Sequence, residues 1–195
     1  MIYIFSIIIS YLLGSVPFGI LITKLFHKGD LRKIGSGNIG ATNVMRVGGL
    51  RMAGLAWLLD MTKAVLAVLL GHYVGGESFA VWCGFAAIVG HCFPVWLKFK
   101  GGKGVSCLFG VLLAVNPILF VVGGLEWLLV ALGTGYSSAG ALTMFLLMLI
   151  LGFCISFDVG IAFCAIVLLC LWRHRENVLR LLSGKESKIE WKWKK

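Results

Sequence analysis

Between Val105 and Trp172 the only charged residues are Glu126 and Asp158, set in an otherwise apolar or small-residue stretch. A run this long and apolar needs lipid around it. Lipid offers no hydrogen bonds to the backbone, so the run must fold as helices that satisfy their own peptide groups. Further apolar runs cover Ile2–Phe26, Met52–Tyr73 and Phe79–Leu97. Composition agrees: 59% of the 195 residues are hydrophobic, 13% are charged and the mean hydropathy is +0.97. A soluble domain carries about twice that charged fraction.

The basic residues sort into three clusters, Lys24–Arg51, Lys98–Lys103 and Arg173–Lys195, with Lys63 alone outside them. If all three face the cytoplasm, the first span starts outside. The region from Val105 to Trp172 then begins and ends inside and needs an even number of helices. Two helices of about 34 residues exceed the roughly 20 that cross a bilayer, whereas four of about 17 fit. Breaks are available near Gly123-Gly124, Gly133–Ser138 and Ser156-Phe157-Asp158, which puts Glu77, Glu126 and Asp158 in external turns. The expected fold class is an all-α integral membrane protein of one domain, 1–195. It has seven transmembrane helices, the N-terminus outside and the C-terminus cytoplasmic. Gly14-Ser15-Val16-Pro17 should kink the first helix. Trp191 and Trp193, among Lys192, Lys194 and Lys195, read as an interfacial anchor.

The formal net charge of +10 borders apolar spans and is accounted for by topology and by anionic headgroups or substrates. Nucleic acid is not an expected partner, because no aromatic-basic module lies outside the spans. The six cysteines include no Cys-x-x-Cys and no Cys/His cluster with metal spacing, so neither a metal nor a disulfide framework is expected.

Three glycine-rich basic segments carry the chemistry. In the first, Gly35–Arg46, Ser36, Asn38, Thr42 and Asn43 offer neutral polar groups. Gly37 and Gly40 permit close backbone approach, and Arg46 offers a planar fork suited to phosphate. In the second, Lys100-Gly101-Gly102-Lys103-Gly104 opens a helix, so Lys103 meets orphan N–H groups and the positive dipole end. It is not a Walker A loop, since Leu97 stands where the first glycine belongs and Gly104 where Ser or Thr belongs. Lys98 and Lys100 read as plain cytoplasmic charge. In the third, His174, Asn177 and Arg180 recur at a spacing of three and share a helix face. For His174, a general base, a phosphate donor and an ordinary interfacial histidine all remain open. Tyr136-Ser137-Ser138 falls at an internal turn. Asp60 and Lys63, three apart, share a face of the second span. A structural pair and a functional pair are equally good readings.

Seven motifs, taken in order, resemble one family. They are Tyr11–Gly19, Gly35–Arg46, Asp60-x-x-Lys63, Gly90-His91-x-Phe93-Pro94, Phe99–Gly104, Tyr136-Ser-Ser138 and Arg173-His-Arg-x-Asn177-x-x-Arg180. The chain resembles the bacterial acyl-phosphate:glycerol-3-phosphate acyltransferases (PlsY) over essentially its whole length. The resemblance implies an enzyme of the bacterial inner membrane, multi-pass, with its active site facing the cytoplasm. It would move a fatty acyl group from acyl phosphate to the 1-hydroxyl of glycerol 3-phosphate, giving lysophosphatidic acid and phosphate. Membrane lipid would surround it, and no cofactor would be needed. Matched motif by motif, it implies Ser36, Arg46, Lys103, Ser138, His174 and Asn177 as catalytic residues. Gly37, Asn38, Gly40, Thr42, Asn43, Gly101, Gly102, Gly104 and Arg180 are implied as the substrate- and phosphate-binding set. Two other classes compete. An organic-phosphate transporter fits the glycine-broken helices and buried ionisable groups. A CDP-lipid phosphotransferase would need clustered aspartates, which are missing.

Overall fold

The computed structural model describes residues 1–189, so the proposed anchor at Trp191 and Trp193 lies outside the described residues. Those residues form a helical bundle: α1 (Ile2–Ser15), α2 (Phe18–Leu25), α3 (Ala41–Cys92), α4 (Val105–Val115), α5 (Pro117–Thr134), α6 (Ser137–Ile155), α7 (Phe157–Arg173) and α8 (Arg175–Leu182). Short 3-10 turns sit at Leu31–Lys33 and Val95–Leu97. There is no strand among the described residues.

The expected kink is present at Pro17. Val16 takes an extended ψ of 117°, as the residue before a proline prefers, and α1 ends there. The 52-residue α3 is interrupted at Gly49 (φ 78°) and at Gly75-Gly76, where Gly76 has φ 74°. The second break is a hairpin. The chain folds back so that Gly71 faces Ala80 and Cys83, and Lys63 meets His91. Glycine serves here because only it enters the positive-φ region without strain.

Close crossings are made by small residues, as van der Waals packing in lipid requires. Gly14 of α1 lies on the Ala87 carbonyl of α3, Gly90 on the Tyr11 carbonyl, and Gly110 of α4 on the Met61 carbonyl. The main core, including Val68, Leu112, Phe145, Met148, Phe163 and Ile166, lies among α3, α4, α6 and α7.

One expected break is misplaced. The chain turns at Asn116-Pro117, not at Gly123-Gly124. Proline starts α5 where its missing N–H costs nothing, and the Asn116 side chain accepts from Ile118 N at 2.9 Å. Gly123 and Gly124 are interior to α5. Glu126 therefore sits inside that helix rather than in an external turn, and its Oε2 is buried without a partner among the described residues. Asp158, in the first turn of α7, accepts at 3.4 Å from Ser78, the residue after Glu77 at the α3 hairpin.

By length and apolarity four segments suit a membrane crossing: Ile2–Leu25, Ala41–Leu97, Pro117–Thr134 and Ser137–Ile155. The α7–α8 pair, bent by 55°, makes a fifth. This supports an all-helical membrane protein, with four to five such segments rather than a direct count of seven.

Candidate functional site

Three helices begin at one cavity of about 480 Å³: α3 at Gly40, α4 at Gly104 and α6 at Tyr136. None of the three has a side-chain cap. Two other helices, α5 and α7, are capped by the side chains of Asn116 and Ser156. Uncapped first-turn N–H groups and the positive end of the helix dipole favour an anion. The cavity gathers three such ends around Arg46, Lys103 and Arg180.

All six residues expected to carry the chemistry, Ser36, Arg46, Lys103, Ser138, His174 and Asn177, line this cavity. So do Asn38, Gly40, Thr42, Asn43, Gly104 and Arg180, whereas Gly37, Gly101 and Gly102 do not. The reason is visible in the backbone. Gly37 N–H is already bound to Ile34 O at 3.1 Å, Gly101 N–H to Cys92 O at 3.1 Å, and Gly102 N–H to His91 O at 3.0 Å. These glycines permit close backbone packing and offer no free donor. A Cβ on Gly102 would strike the His91 ring. Asn43 is also committed, although it touches the cavity. Its Nδ2 donates to the carbonyls of Leu31 (3.1 Å), Ile34 (2.9 Å) and Asn38 (2.9 Å), and its Oδ1 accepts from Ser36 N at 3.1 Å. Asn43 shapes the Leu31–Asn38 loop and thereby presents Ser36.

The remaining polar groups form a chain across the cavity. Lys103 Nζ donates to Asn177 Oδ1, and Asn177 Nδ2 donates to Glu186 Oε1 at 2.6 Å. The same oxygen accepts from Ser138 Oγ at 2.7 Å, and Arg180 Nε donates to Glu186 Oε2 at 2.6 Å. Burial pushes the Glu186 carboxyl up, but these three hydrogen bonds outweigh it and hold the group below its ordinary range. Burial is the main cause that lowers Lys103 to about 8, with the Arg180 charge adding to it. Thr42 Oγ1 lies 3.2 Å from Ser137 Oγ, and Arg46 Nη2 donates to Ser187 Oγ at 2.9 Å.

His174 stands at the bend between α7 and α8, past the apolar stretch. Its Nδ1 is 2.8 Å from the Cys170 carbonyl, an acceptor only, so the neutral ring carries its proton there and leaves Nε2 as a lone pair. Burial, its largest cause, lowers the ring to about 4.

Sequence reading missed Glu186 and Ser187 as site residues. The tail after α8 folds back over the turn between α5 and α6, where Ile189 N donates to Gly135 O at 2.8 Å. That placement delivers Glu186, and no periodicity in the sequence announces it. The apolar wall was also missed: Trp57, Phe109 and Phe120 meet with centroids 5.9–6.5 Å apart, and Trp127 anchors its Nε1 on Ser137 O at 3.2 Å.

Asp60, His91 and Cys107 bring metal-ligand atoms within 4.8 Å of one another. Lys63 occupies that position as an internal cation, 2.7 Å from Asp60 Oδ1 and 3.1 Å from His91 Nδ1. The set does not fit a metal, because the ammonium takes up the charge and the lone pair a metal would need.

Residues 4–184 match the family described as Glycerol-3-phosphate acyltransferase. A relative of that name in Rhizobium etli is 47% identical over 186 residues, covering 93% of this chain and 89% of its own. One in Agrobacterium fabrum is 44% identical over 183 residues, with the same coverage. Among solved structures, PlsY (YgiH), an integral membrane glycerol 3-phosphate acyltransferase, superposes in its glycerol 3-phosphate form with a TM-score of 0.91 at 37% identity, covering 96% of both chains. Its lysophosphatidic acid form gives 0.90 at 36%, covering 97% of this chain and 96% of that one. On the match of sequence and fold over nearly its full length, this chain belongs to the glycerol-3-phosphate acyltransferase family.

Proposed function

We propose that the protein transfers a fatty acyl group from acyl phosphate to the 1-hydroxyl of glycerol 3-phosphate, releasing lysophosphatidic acid and inorganic phosphate. The observation that carries this reading is the cavity itself. Three uncapped helix ends and the cations Arg46, Lys103 and Arg180 surround a polar region suited to phosphate, and a wall of Trp57, Phe109, Phe120 and Trp127 suits an acyl chain.

Acyl phosphate is an activated mixed anhydride, so the hydroxyl attacks the acyl carbonyl directly and no acyl-enzyme is needed. Lys103, Arg46 and the first N–H groups of α4 hold the phosphate charge and stabilise the oxyanion that develops at the carbonyl. Ser36, Ser138, His174 and Asn177 orient the acceptor. The proton passes to a substrate phosphate oxygen. A phosphate monoester takes up its second proton at about 6. His174, held at about 4, is the weaker base, and its Nε2 serves to align the hydroxyl.

The active site faces the cytoplasm of a bacterial inner membrane, and the chain crosses seven times with its N-terminus outside. The seven crossings are α1 with α2, the two arms of the α3 hairpin, α4, α5, α6 and α7. Each of the three basic clusters contributes a residue to the cavity, Arg46, Lys103 and Arg180, which supports one cytoplasmic side for all three by the positive-inside rule. A reporter fused after the C-terminus that proved external would overturn this orientation.

The test is purified full chain in detergent, with no nucleotide, metal or thioester added, and palmitoyl phosphate as donor. Phosphate release that requires glycerol 3-phosphate, yields lysophosphatidic acid and vanishes in Lys103→Ala is the expected result. Trapping of an acyl group on Ser36 or Ser138 would rule out direct attack.

A further inference from the structure

The turn that carries Lys103 is gripped from two sides. On one side its N–H groups are spent on the end of α3, Gly101 on Cys92 O at 3.1 Å and Gly102 on His91 O at 3.0 Å. On the other side the Arg173 guanidinium donates from Nη2 to Gly101 O at 2.8 Å and from Nε to Gly102 O at 3.0 Å. Both peptide groups are thus fully bonded immediately before Lys103. The guanidinium itself lies over two rings, 5.4 Å from the Phe93 centroid and 5.8 Å from that of Trp172.

We propose that Arg173 is a positioning residue for the reaction: it fixes the Gly101-Gly102 turn and so sets where the Lys103 ammonium and the uncapped start of α4 meet the substrate phosphate. This rests on the reading that Lys103 binds phosphate. Arg173 does not touch the cavity. It acts through the backbone.

Three features separate this role from ordinary cytoplasmic charge. First, Arg175, two residues on, has its side chain 51% exposed and meets only near neighbours in sequence, the Trp172 carbonyl at 3.1 Å and Glu176 at 3.9 Å. That suffices for topology, and Arg173 reaches instead across 71 and 72 residues of sequence. Second, the fork is used as a fork: two N–H groups in one plane meet two successive carbonyls, which an ammonium on a flexible stem cannot reproduce. Third, the opposite side of the turn is closely packed. The His91 ring fills the space where a Gly102 side chain would stand, and Lys63 holds that ring at Nδ1. The turn sits between a fixed floor and a fixed clamp, and Lys103 is the next residue.

The test uses the full chain in detergent with palmitoyl phosphate and glycerol 3-phosphate, comparing wild type, Arg173→Gln and Arg173→Lys from neutral to alkaline pH. Misplacing a binding group by a fraction of an ångström to one ångström costs about 10- to 100-fold in rate, so both variants should lose about that much kcat/KM with thermal unfolding near wild type. Removing the Arg173 charge also relieves repulsion on Lys103, so Arg173→Gln should move the alkaline limb of the profile upward. Arg173→Lys keeps the charge, so its limb should stay near the wild-type position while the rate deficit remains. A lysine variant at wild-type kcat/KM would overturn the proposal, as would a glutamine variant with unchanged rate and limb. If Arg173→Gln does not fold, Arg173→Lys alone carries the decision. Wild-type activity in Lys103→Ala would instead remove the reading of Lys103 on which the proposal rests, whatever the arginine variants do.

Discussion

The Lys63 ammonium lies 2.8 Å from the Val16 carbonyl oxygen, which the break at Pro17 turns out of its helix ladder. The helical partner of that oxygen, Ile20 N, donates to Pro17 O instead. That oxygen keeps one local bond, from Phe18 N at 3.2 Å; Lys63 adds a second, and Asp60, 2.7 Å away, balances the ammonium charge. The pair is buried, at 3% and 1% side-chain exposure. The pair ties α3 to the Pro17 break, with a link to the site through His91.

Removing one member leaves an uncompensated buried charge. Lys63→Met should lose about 3–5 kcal/mol of stability, and Asp60→Asn/Lys63→Met together should recover part of it. Unfolding in detergent, followed for both single variants and the double variant, checks this. A Lys63→Met protein as stable as wild type would contradict it.

Lys103 should give the enzyme an alkaline limb. Its pKa is lowered to about 8, so the ammonium is intact below that pH and is lost as pH rises through it. Affinity for the phosphate-bearing substrate should fall in that window. Lys103→Arg, charged throughout, should abolish the limb even where the altered geometry costs rate. A wild-type kcat/KM that stays level well above pH 8 would be the contrary outcome.

Glu186 should hold the tail over the cavity. Its carboxyl is depressed by its partners, so its contribution to stability is present above the ordinary carboxylate range and is lost as pH falls below it. Glu186→Ala should leave Arg180 without its closest carboxylate and let the Asn177 amide rotate away from Lys103. We expect at least a ten-fold loss of kcat, of order 1.4 kcal/mol, together with faster proteolysis after α8. Limited digestion and turnover, measured on the same preparation, test both halves.

Gly124 should mark the acyl wall. It lines the cavity from inside α5, and a Cβ there would meet only Phe109 Cε1, at 3.8 Å. Gly124→Leu should fit the helix yet raise KM for palmitoyl phosphate several-fold, leaving KM for glycerol 3-phosphate unchanged. Equal changes in both would place the acyl chain elsewhere.

Much of this protein was determined by the sequence alone. Apolar runs and basic clusters are one-dimensional signals, and bilayer thickness converts them into helices and boundaries. The kink at Pro17, the turns near Gly135 and Ser156, and the placing of Lys103 before a helix all follow from local chemistry. The misplaced break shows where such signals become ambiguous. Gly123-Gly124 and Asn116-Pro117 both interrupt an apolar run, and the capping hydrogen bond from Asn116 together with the close packing of Gly123 on Leu112 decides between them. Only the tertiary structure decided which glycine N–H groups remain free, because Gly101 and Gly102 spend theirs on residues of α3. It also decided what Lys63 meets, a carbonyl 47 residues away. Glu186 and Arg173 belong to the same class. Glu186 meets Ser138 across 48 residues and Arg173 meets Gly101 and Gly102 across 72 and 71, and such bonds leave no period or composition to read.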